Sequence, residues 1–229
     1  ASALSGASTV NGGKDVSVTA ADTSATGAAS GNSITVGGTT APAGTVAVSY
    51  TETISDAANT GVAGGTITTT GGTNVTVNSL AVAGAGSNVA DVLTIGAITV
   101  NGGENTTAVT VNQSAATPTY DGADNKNIKI TNGAVDINDL NTANKADTIA
   151  TATLNNFGNS TFTGNALSTL NLTGGSSAAL ASGTLTIDQS AGLTTDVPTT
   201  LALNMTSGFV GAITDTDNQY TTLNIASAA

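Results

Sequence analysis

Side chains that could bind a metal ion are concentrated near the middle of the chain. Two aspartates and two asparagines fall within seven residues, at Asp121, Asp124, Asn125 and Asn127. Further oxygen-bearing side chains follow at Asp136, Asn138, Asp139 and Asp147. Calcium takes about six to eight oxygen ligands from carboxylates, amides and carbonyls. The residue types therefore predict a Ca²⁺ site in this region.

A second candidate calcium site is the trio Asp215, Asp217 and Asn218. Neither group reproduces the ligand spacing of an EF-hand loop. Aspartate and asparagine also form turns by hydrogen bonding to nearby backbone groups, which is the alternative interpretation of both groups. We expect Ca²⁺ as the cofactor, and the turn interpretation stays open.

The composition excludes most catalytic chemistry. The chain has 229 residues with no His, no Cys and no Arg. A Ser-His-Asp triad, a thiol nucleophile and a Cys/His zinc site are therefore excluded. A paired-carboxylate glycosidase is disfavoured, because the chain has only two glutamates and few aromatic rings that could stack on sugars. We expect a structural or binding protein rather than an enzyme.

The charge balance narrows the range of partners. Four lysines against fifteen acids give a formal net charge of −11. Nucleic-acid affinity rests largely on cations that face phosphates, and anionic membrane surfaces attract basic segments. No stretch approaches the ~20 apolar residues of a transmembrane helix. We expect neither nucleic-acid binding nor membrane insertion.

Internal repeats indicate how the N-terminal half is built. Short alternating segments end in a glycine pair and precede a second alternating segment, as in 67–72 before 75–77 and 98–103 before 109–111. The first glycines lie at 12, 37, 71 and 102, with Gly133 as a weaker fifth copy, so the steps are 25, 34, 31 and 31 residues. Alternation of Val or Ile with Thr or Ser is typical of strands with one apolar face, and glycines allow tight corners. One unit cannot bury its own apolar face, so we expect stacked units, either a solenoid or β-sandwich modules.

The C-terminal half repeats a different pattern. Segments 169–173, 184–187, 201–206 and 222–225 alternate Leu or Ile with polar residues, and their leucines at 170, 185, 203 and 223 are 15, 18 and 20 residues apart. These steps predict one short strand per rung of a parallel β-solenoid, with the leucines in an interior ladder. Asn171, Asn204 and Asn224 would form a polar ladder between stacked strands. The predicted fold class is all-β, with a parallel β-helix or β-solenoid at least in this half.

The change of repeat pattern predicts two regions. We expect residues 1–120 to form the strand–glycine–strand region and residues 121–229 to form the solenoid with its Asp/Asn-rich entry loops. The polar stretch 121–147 between the two patterns also holds three of the four lysines. We interpret the chain as part of a longer protein, because it has no initiator Met and its last residues stop within a repeat.

Several segments resemble a known family. The Thr-rich glycine repeats, the Leu-Asn-Leu-Thr segment at 170–173 and the run Lys-Ala-Asp-Thr-Ile at 145–149 are similar to bacterial surface-layer proteins secreted by the type I route. That class belongs to, or neighbours, the calcium-binding repeats-in-toxin proteins, and the stretch 147–161 is especially like it. The Gly-Gly-x-Gly-x-Asp-x-aliphatic nonapeptide of the repeats-in-toxin class has no complete copy here, although fragments occur at 84–89 and 122–125.

The resemblance implies a structural segment of a secreted S-layer protein on the bacterial cell surface. Such a protein self-assembles into a two-dimensional lattice ordered by Ca²⁺. Its partners would be lattice neighbours of the same chain, with cell-surface polysaccharide bound through another part of the full protein. The alternative hypothesis is a cell-surface adhesin or stalk segment that binds glycans or neighbouring cells.

Overall fold

The computed structural model describes residues 2–3, 6–25, 31–55, 62–83, 92–116, 129–141, 145–174, 183–190, 197–206, 209 and 211–227. Within these residues every regular element is a strand and no helix is present, which confirms the all-β prediction. The strands are β1 Ser2–Ala3, β2 Ser8–Val10, β3 Val16–Ala25, β4 Ile34–Val36, β5 Val46–Ser55, β6 Val62–Ala63, β7 Ile67–Thr70, β8 Asn74–Ala83, β9 Val92–Thr94, β10 Ile98–Gly102, β11 Ala108–Ala115, β12 Lys129–Thr131, β13 Val135–Asp139, β14 Thr151–Asn155, β15 Ser160–Thr163, β16 Thr169–Thr173, β17 Thr184–Asp188, β18 Thr200–Met205, β19 Ala212–Asp215 and β20 Thr222–Ser227.

The strands form three sheets in which every described pairing is parallel. Sheet A has nine strands in the order β1-β3-β5-β8-β11-β14-β16-β18-β20. Sheet B has eight in the order β2-β4-β7-β10-β13-β15-β17-β19, and sheet C has β6, β9 and β12. The chain passes from a strand of sheet B through a corner to a strand of sheet A, and we call each such pair a rung. Successive rungs stack in parallel, an arrangement consistent with a β-solenoid.

The core is built by residues of both sheets A and B that alternate with polar residues along each strand. Val48, Val77 and Val111 are fully buried and stack in register on β5, β8 and β11. On the next two rungs, Leu154 and Leu172 take the same place on β14 and β16. Small aliphatic residues therefore form a continuous interior ladder, since each strand turns one face inward.

Glycine corners connect sheet B to sheet A in the first rungs. Gly12, Gly13, Gly37, Gly71 and Gly72 have φ values of +69°, +94°, +78°, +80° and +86°. Glycine adopts these angles without the steric cost that a Cβ imposes. The predicted role of the glycine pairs is confirmed at these three corners, whereas neither Gly102 nor Gly103, the fourth predicted pair, has a positive φ.

A second series of glycines lies immediately before the strands of sheet B. The strand register stacks them from one rung to the next, and we call them the glycine column: Gly65, Gly96, Gly133, Gly158, Gly183 and Gly211. A Cβ added to Gly96 would lie 2.0 Å from the carbonyl oxygen of Gly65, and one added to Gly211 would lie 2.6 Å from that of Gly183. Neighbouring rungs approach too closely along this column to admit a side chain.

The prediction that Gly133 continues the corner series is wrong. Val135 pairs with Ile98 and Asp139 pairs with Gly102, so segment 135–139 is the copy of segment 98–102. Gly133 belongs to the glycine column instead. Asp139 consequently occupies the position of a corner glycine.

The predicted one-strand rungs of the C-terminal half are also wrong. Leu185 lies in sheet B, whereas Leu170, Leu203 and Leu223 lie in sheet A. Within sheet A, Leu203 pairs with Leu170 on one side and with Ile225 on the other. Each rung contains two strands with the same local pattern, so the spacing between leucines mixes the two sheets.

The predicted polar ladder is present in part. Asn171 pairs with Asn204, and the Asn204 amide donates a hydrogen bond to Asn171 Oδ1 at 2.8 Å. Asn224 pairs with Ala202 and does not continue the ladder. The stacking of identical amides therefore joins two strands here.

The strand ladder crosses the predicted boundary at residue 120. β11 pairs with β8 before the boundary and with β14 after it. The division into regions 1–120 and 121–229 stays a prediction. None of the described segments forms a helix with the length and apolar character needed to cross a membrane.

Candidate metal centre

The structure separates the predicted calcium ligands of the central region. The first four, Asp121, Asp124, Asn125 and Asn127, lie outside the described residues. Asp136 and Asn138 are half-buried on the outer face of β13, where Asn138 Nδ2 donates to Asn101 Oδ1 at 3.1 Å. Asp139 and Asp147 are buried, with 3% and 8% of their surfaces exposed.

Asp139 fastens the corner that follows β13. Its Oδ2 accepts hydrogen bonds from the backbone N–H groups of Thr148 and Ile149 at 2.6 and 2.7 Å. Its Oδ1 accepts a hydrogen bond from the Asn141 amide at 2.8 Å. Burial raises the pKa of Asp139 and the nearby charge of Asp147 adds to this rise, although the N–H groups of Ile149 and Thr148 oppose it.

Asp147 connects the same corner to the next two rungs. Its Oδ2 accepts the backbone N–H of Asn165 at 2.7 Å and the Ser190 hydroxyl at 2.6 Å. The Asn165 amide in turn donates to the Ser190 carbonyl oxygen at 3.2 Å and approaches its hydroxyl oxygen at 3.1 Å. One carboxylate therefore ties together three corners that are distant in sequence.

The partners of the two aspartates follow three neighbouring strands. β13, β15 and β17 are adjacent in sheet B, and Asn141, Asn165 and Ser190 each lie two residues beyond the end of one of them. The register of β15 and β17 aligns Asn165 with Ser190, and these two residues are hydrogen bonded to each other. The sequence interpretation missed all three. In the sequence, these residues are marked only by being polar and lying two positions past a strand. That mark predicts a shared site only when the pairing of the strands is already known.

Three side-chain oxygens in this group of residues accept no hydrogen bond: Asn141 Oδ1, Asp147 Oδ1 and Asn165 Oδ1. All three atoms are buried. A buried acceptor without a donor costs about 1–3 kcal/mol, and more when it is charged. We call Asp139, Asn141, Asp147 and Asn165 the buried oxygen cluster.

The buried oxygen cluster combines two carboxylates with two amides. Among the described residues, no three or more carboxylates come close enough to share a metal ion. The ammonium of Lys145 is half-exposed and forms an ion pair with Glu104. Neither Asp139 nor Asp147 forms an ion pair with a lysine among the described residues.

The second predicted group forms a turn between β19 and β20. Asp215 Oδ2 accepts the backbone N–H of Tyr220 at 3.2 Å, and Asp217 Oδ2 accepts that of Gln189 at 2.8 Å. The bond from Gln189 lowers the pKa of the exposed Asp217 carboxyl. Asn218 adopts a φ of +55°, an angle that asparagine tolerates well. The Asp215 bond and the Asn218 angle fit the turn interpretation, whereas Asp217 bonds to the backbone of a neighbouring rung.

Polar side chains on the inner face of sheet A bind the backbone near the glycine column. The buried Gln113 amide donates to the Gly133 carbonyl at 3.0 Å, and its carbonyl oxygen accepts the Gly133 N–H at 2.8 Å. Glu52 Oε2 accepts the Gly65 N–H at 2.7 Å. The Tyr50 hydroxyl donates to the Asn32 carbonyl at 3.0 Å. These buried groups are therefore paired with backbone and serve the fold.

Comparison with known proteins does not assign the chain to a family. No protein-family model matches it, and no curated protein sequence matches it significantly.

Proposed function

We propose that this chain is a structural segment of a secreted bacterial surface-layer protein that self-assembles into a two-dimensional lattice ordered by Ca²⁺. The observation that carries the proposal is the parallel stack of repeated rungs, whose apolar ladder is exposed at β20. Leu223 and Ile225 are 50% and 59% exposed there. Their partners one rung earlier, Leu201 and Leu203, are buried.

The apolar ladder of sheet A reaches the surface at β20. The apolar side chains of β20 continue the interior ladder in register, so a further parallel strand would bury them as β20 buries its neighbour. A cavity of about 200 Å³ opens beside them, lined by Ile187, Leu201, Leu203, Ile213, Asp215, Tyr220 and Leu223. An exposed strand edge with apolar residues readily pairs with another strand.

The partner that we propose for this edge is the first rung of a second copy. β3 begins with Val16 and Val18, half-buried residues that pack on the other end of the same core. Stacking first rung on last rung would continue both sheets.

Calcium would offset the charge of such an assembly. Copies with a net charge of −11 repel one another, and the lattice has to overcome this repulsion. Divalent cations bound by carboxylates and amides reduce it. Removal of Ca²⁺ by a chelator is therefore expected to dissolve the lattice.

The test is assembly of the 229-residue protein, followed by sedimentation and electron microscopy with Ca²⁺ and with EDTA. We expect ordered assemblies with Ca²⁺ and dispersed protein with EDTA. The double variant Leu223→Ser/Ile225→Ser should remain dispersed in both conditions. The matched control is Leu140→Ser, because Leu140 is also exposed, at 58%, but lies at a corner away from the open edge.

Two results would overturn the proposal. If the wild-type protein stays dispersed at high concentration with Ca²⁺, the chain does not self-assemble. If the double variant assembles as the wild type does, the β20 edge is not the contact. Binding of the dispersed monomer to surface glycans would instead support the adhesin alternative.

A further inference from the structure

We propose that the buried oxygen cluster binds a calcium ion, with Asp147 and Asn165 as its principal ligands and Asn141 and Asp139 beside them. The proposal deepens the proposed function, on which it rests for its biological role, because it locates one ordering ion. Three buried oxygens at this place lack hydrogen-bond donors, one on each of Asn141, Asp147 and Asn165. A cation satisfies several such acceptors at once.

Hydrogen bonds connect the residues that carry these acceptors. Asn141 bonds to Asp139, while Asp147 bonds to the Asn165 backbone. Asp139 in turn accepts the backbone N–H of Thr148, the residue that follows Asp147. Asp147 Oδ2 and the Asn165 side-chain nitrogen already form hydrogen bonds. The Oδ1 atom of each residue therefore remains available for an ion.

The donor set selects the class of ion. The cluster offers carboxylate and amide oxygens and no nitrogen or sulfur ligand, which favours a hard cation over zinc or copper. Two carboxylates that form no ion pair with a lysine among the described residues favour a divalent ion. Ca²⁺ accepts irregular arrangements of oxygens, whereas Mg²⁺ requires near-ideal octahedral geometry and retains several waters. The cluster therefore fits Ca²⁺ better.

The location gives the ion a mechanical role. Asp139 fixes Thr148 and Ile149 shortly before β14, and Asp147 reaches the corners that follow β15 and β17. An ion held between these groups would bind three successive rungs to one another. The expected result of ion binding is a stiffer stack in the middle of the C-terminal half.

The experiment compares Asp147→Asn with Asp136→Asn in the 229-residue protein. Asp136→Asn is the matched control, because it removes the same charge from the outer face of β13. Each protein is freed of metal with EDTA and then titrated with CaCl₂ by calorimetry, and its melting temperature is measured with and without Ca²⁺. Melting in EDTA shows whether each variant folds without the ion.

We expect the wild type and Asp136→Asn to bind Ca²⁺ and to melt at a higher temperature when it is present. Asp147→Asn should bind one ion fewer per chain, or bind it at least about tenfold more weakly. In EDTA it should melt no lower than the wild type, since the neutral amide removes repulsion from Asp139. A crystal structure grown with CaCl₂ should show oxygens of the cluster at about 2.4 Å from the ion.

Equal stoichiometry and affinity in wild type and Asp147→Asn would place the ions elsewhere and overturn the site. An absence of Ca²⁺ binding in the wild type would also overturn it and leave water as the partner of the three oxygens. Assembly is measured separately by microscopy, so loss of the lattice with Ca²⁺ binding intact contradicts the proposed function alone.

Discussion

At the scale of single residues, neighbouring rungs approach each other closely along the glycine column. A Cβ at Gly96 would meet the backbone of Gly65 rather than a flexible side chain. We predict that Gly96→Ala lowers the free energy of unfolding by about 2–3 kcal/mol, because the two rungs must move apart. Chemical denaturation followed by circular dichroism measures this change.

The control for this prediction is Gly103→Ala. A Cβ at Gly103 would meet its nearest neighbour, the Gly71 Cα, at 3.7 Å, which is an ordinary contact. This variant should unfold within about 0.5 kcal/mol of the wild type. Equal losses in the two variants would mean that the close approach at Gly96 is not the cause.

The glycines also show which residue-scale features the sequence could predict. The corner glycines were recognisable because each pair stands between two alternating segments, and their positive φ angles agree with that role. The glycine column was not recognisable, since its spacing depends on the lengths of the intervening segments. Gly133 illustrates the difference: it follows a β-like segment as a corner glycine does, but only strand pairing reveals that Asp139 is the residue aligned with Gly102. The buried oxygen cluster was predictable only in part. Asp139 and Asp147 were recognisable as aspartates in an acidic region, whereas nothing in the sequence distinguished Asn165 from the many other asparagines.

At the scale of elements, β5 is joined to the segment before β4 through the Tyr50 hydroxyl. Burial raises the pKa of Tyr50, and the charges of Glu52 and Asp22 raise it further. Burial, together with Asp215, likewise raises the pKa of Tyr220, whose hydroxyl donates to the Leu167 carbonyl at 2.8 Å. Two tyrosines thus link strands to neighbouring segments in their protonated form.

These pKa shifts predict a loss of stability at alkaline pH. A tyrosine in the unfolded chain releases its proton near pH 10, whereas Tyr50 and Tyr220 hold theirs in the folded state. Their contribution is therefore complete below about pH 10 and is lost as the pH rises toward the folded pKa values. Denaturation between about pH 8 and pH 11.5 should show a falling free energy of unfolding.

The variant Tyr50→Phe/Tyr220→Phe isolates this effect. It should be less stable than the wild type near pH 8, because the two hydroxyl hydrogen bonds are lost. Its stability should then fall less steeply above about pH 10, because both linked protons are absent. Parallel pH profiles for the two proteins would show that other groups control the alkaline transition.

The sequence predicted the strands but could not predict which sheet each strand belongs to. The short alternating strands were predictable because Val, Ile and Leu alternate with Thr and Asn. Their assignment to sheets was not, because Thr-Leu-Thr-Ile at 184–187 in sheet B and Thr-Leu-Asn-Ile at 222–225 in sheet A present the same face to the core. Only hydrogen-bonded register separates the two strands of a rung.

At the scale of the whole molecule, the stacked rungs imply that stability is local. Each strand of sheets A and B is hydrogen bonded only to its immediate neighbours within its sheet, so a weakened rung should affect adjacent rungs far more than distant ones. Strands in the middle of the stack, such as β8, are paired on both sides, whereas β20 is paired on one side in this chain. Amide exchange is expected to be fastest in β20 and slowest in the central strands.

We predict that Leu203→Ala destabilises one end of the molecule and leaves the other unchanged. Leu203 is 4% exposed on β18, and its truncation should cost about 2–5 kcal/mol in its own rung. Hydrogen exchange measured by mass spectrometry should show loss of protection in β16, β18 and β20, with β5 and β8 protected as in the wild type. The control Leu140→Ala removes an exposed side chain of the same type and should change neither region. Loss of protection throughout the chain in Leu203→Ala would mean that the stack unfolds as one cooperative unit, and the additive behaviour expected of stacked rungs would then not apply to this protein.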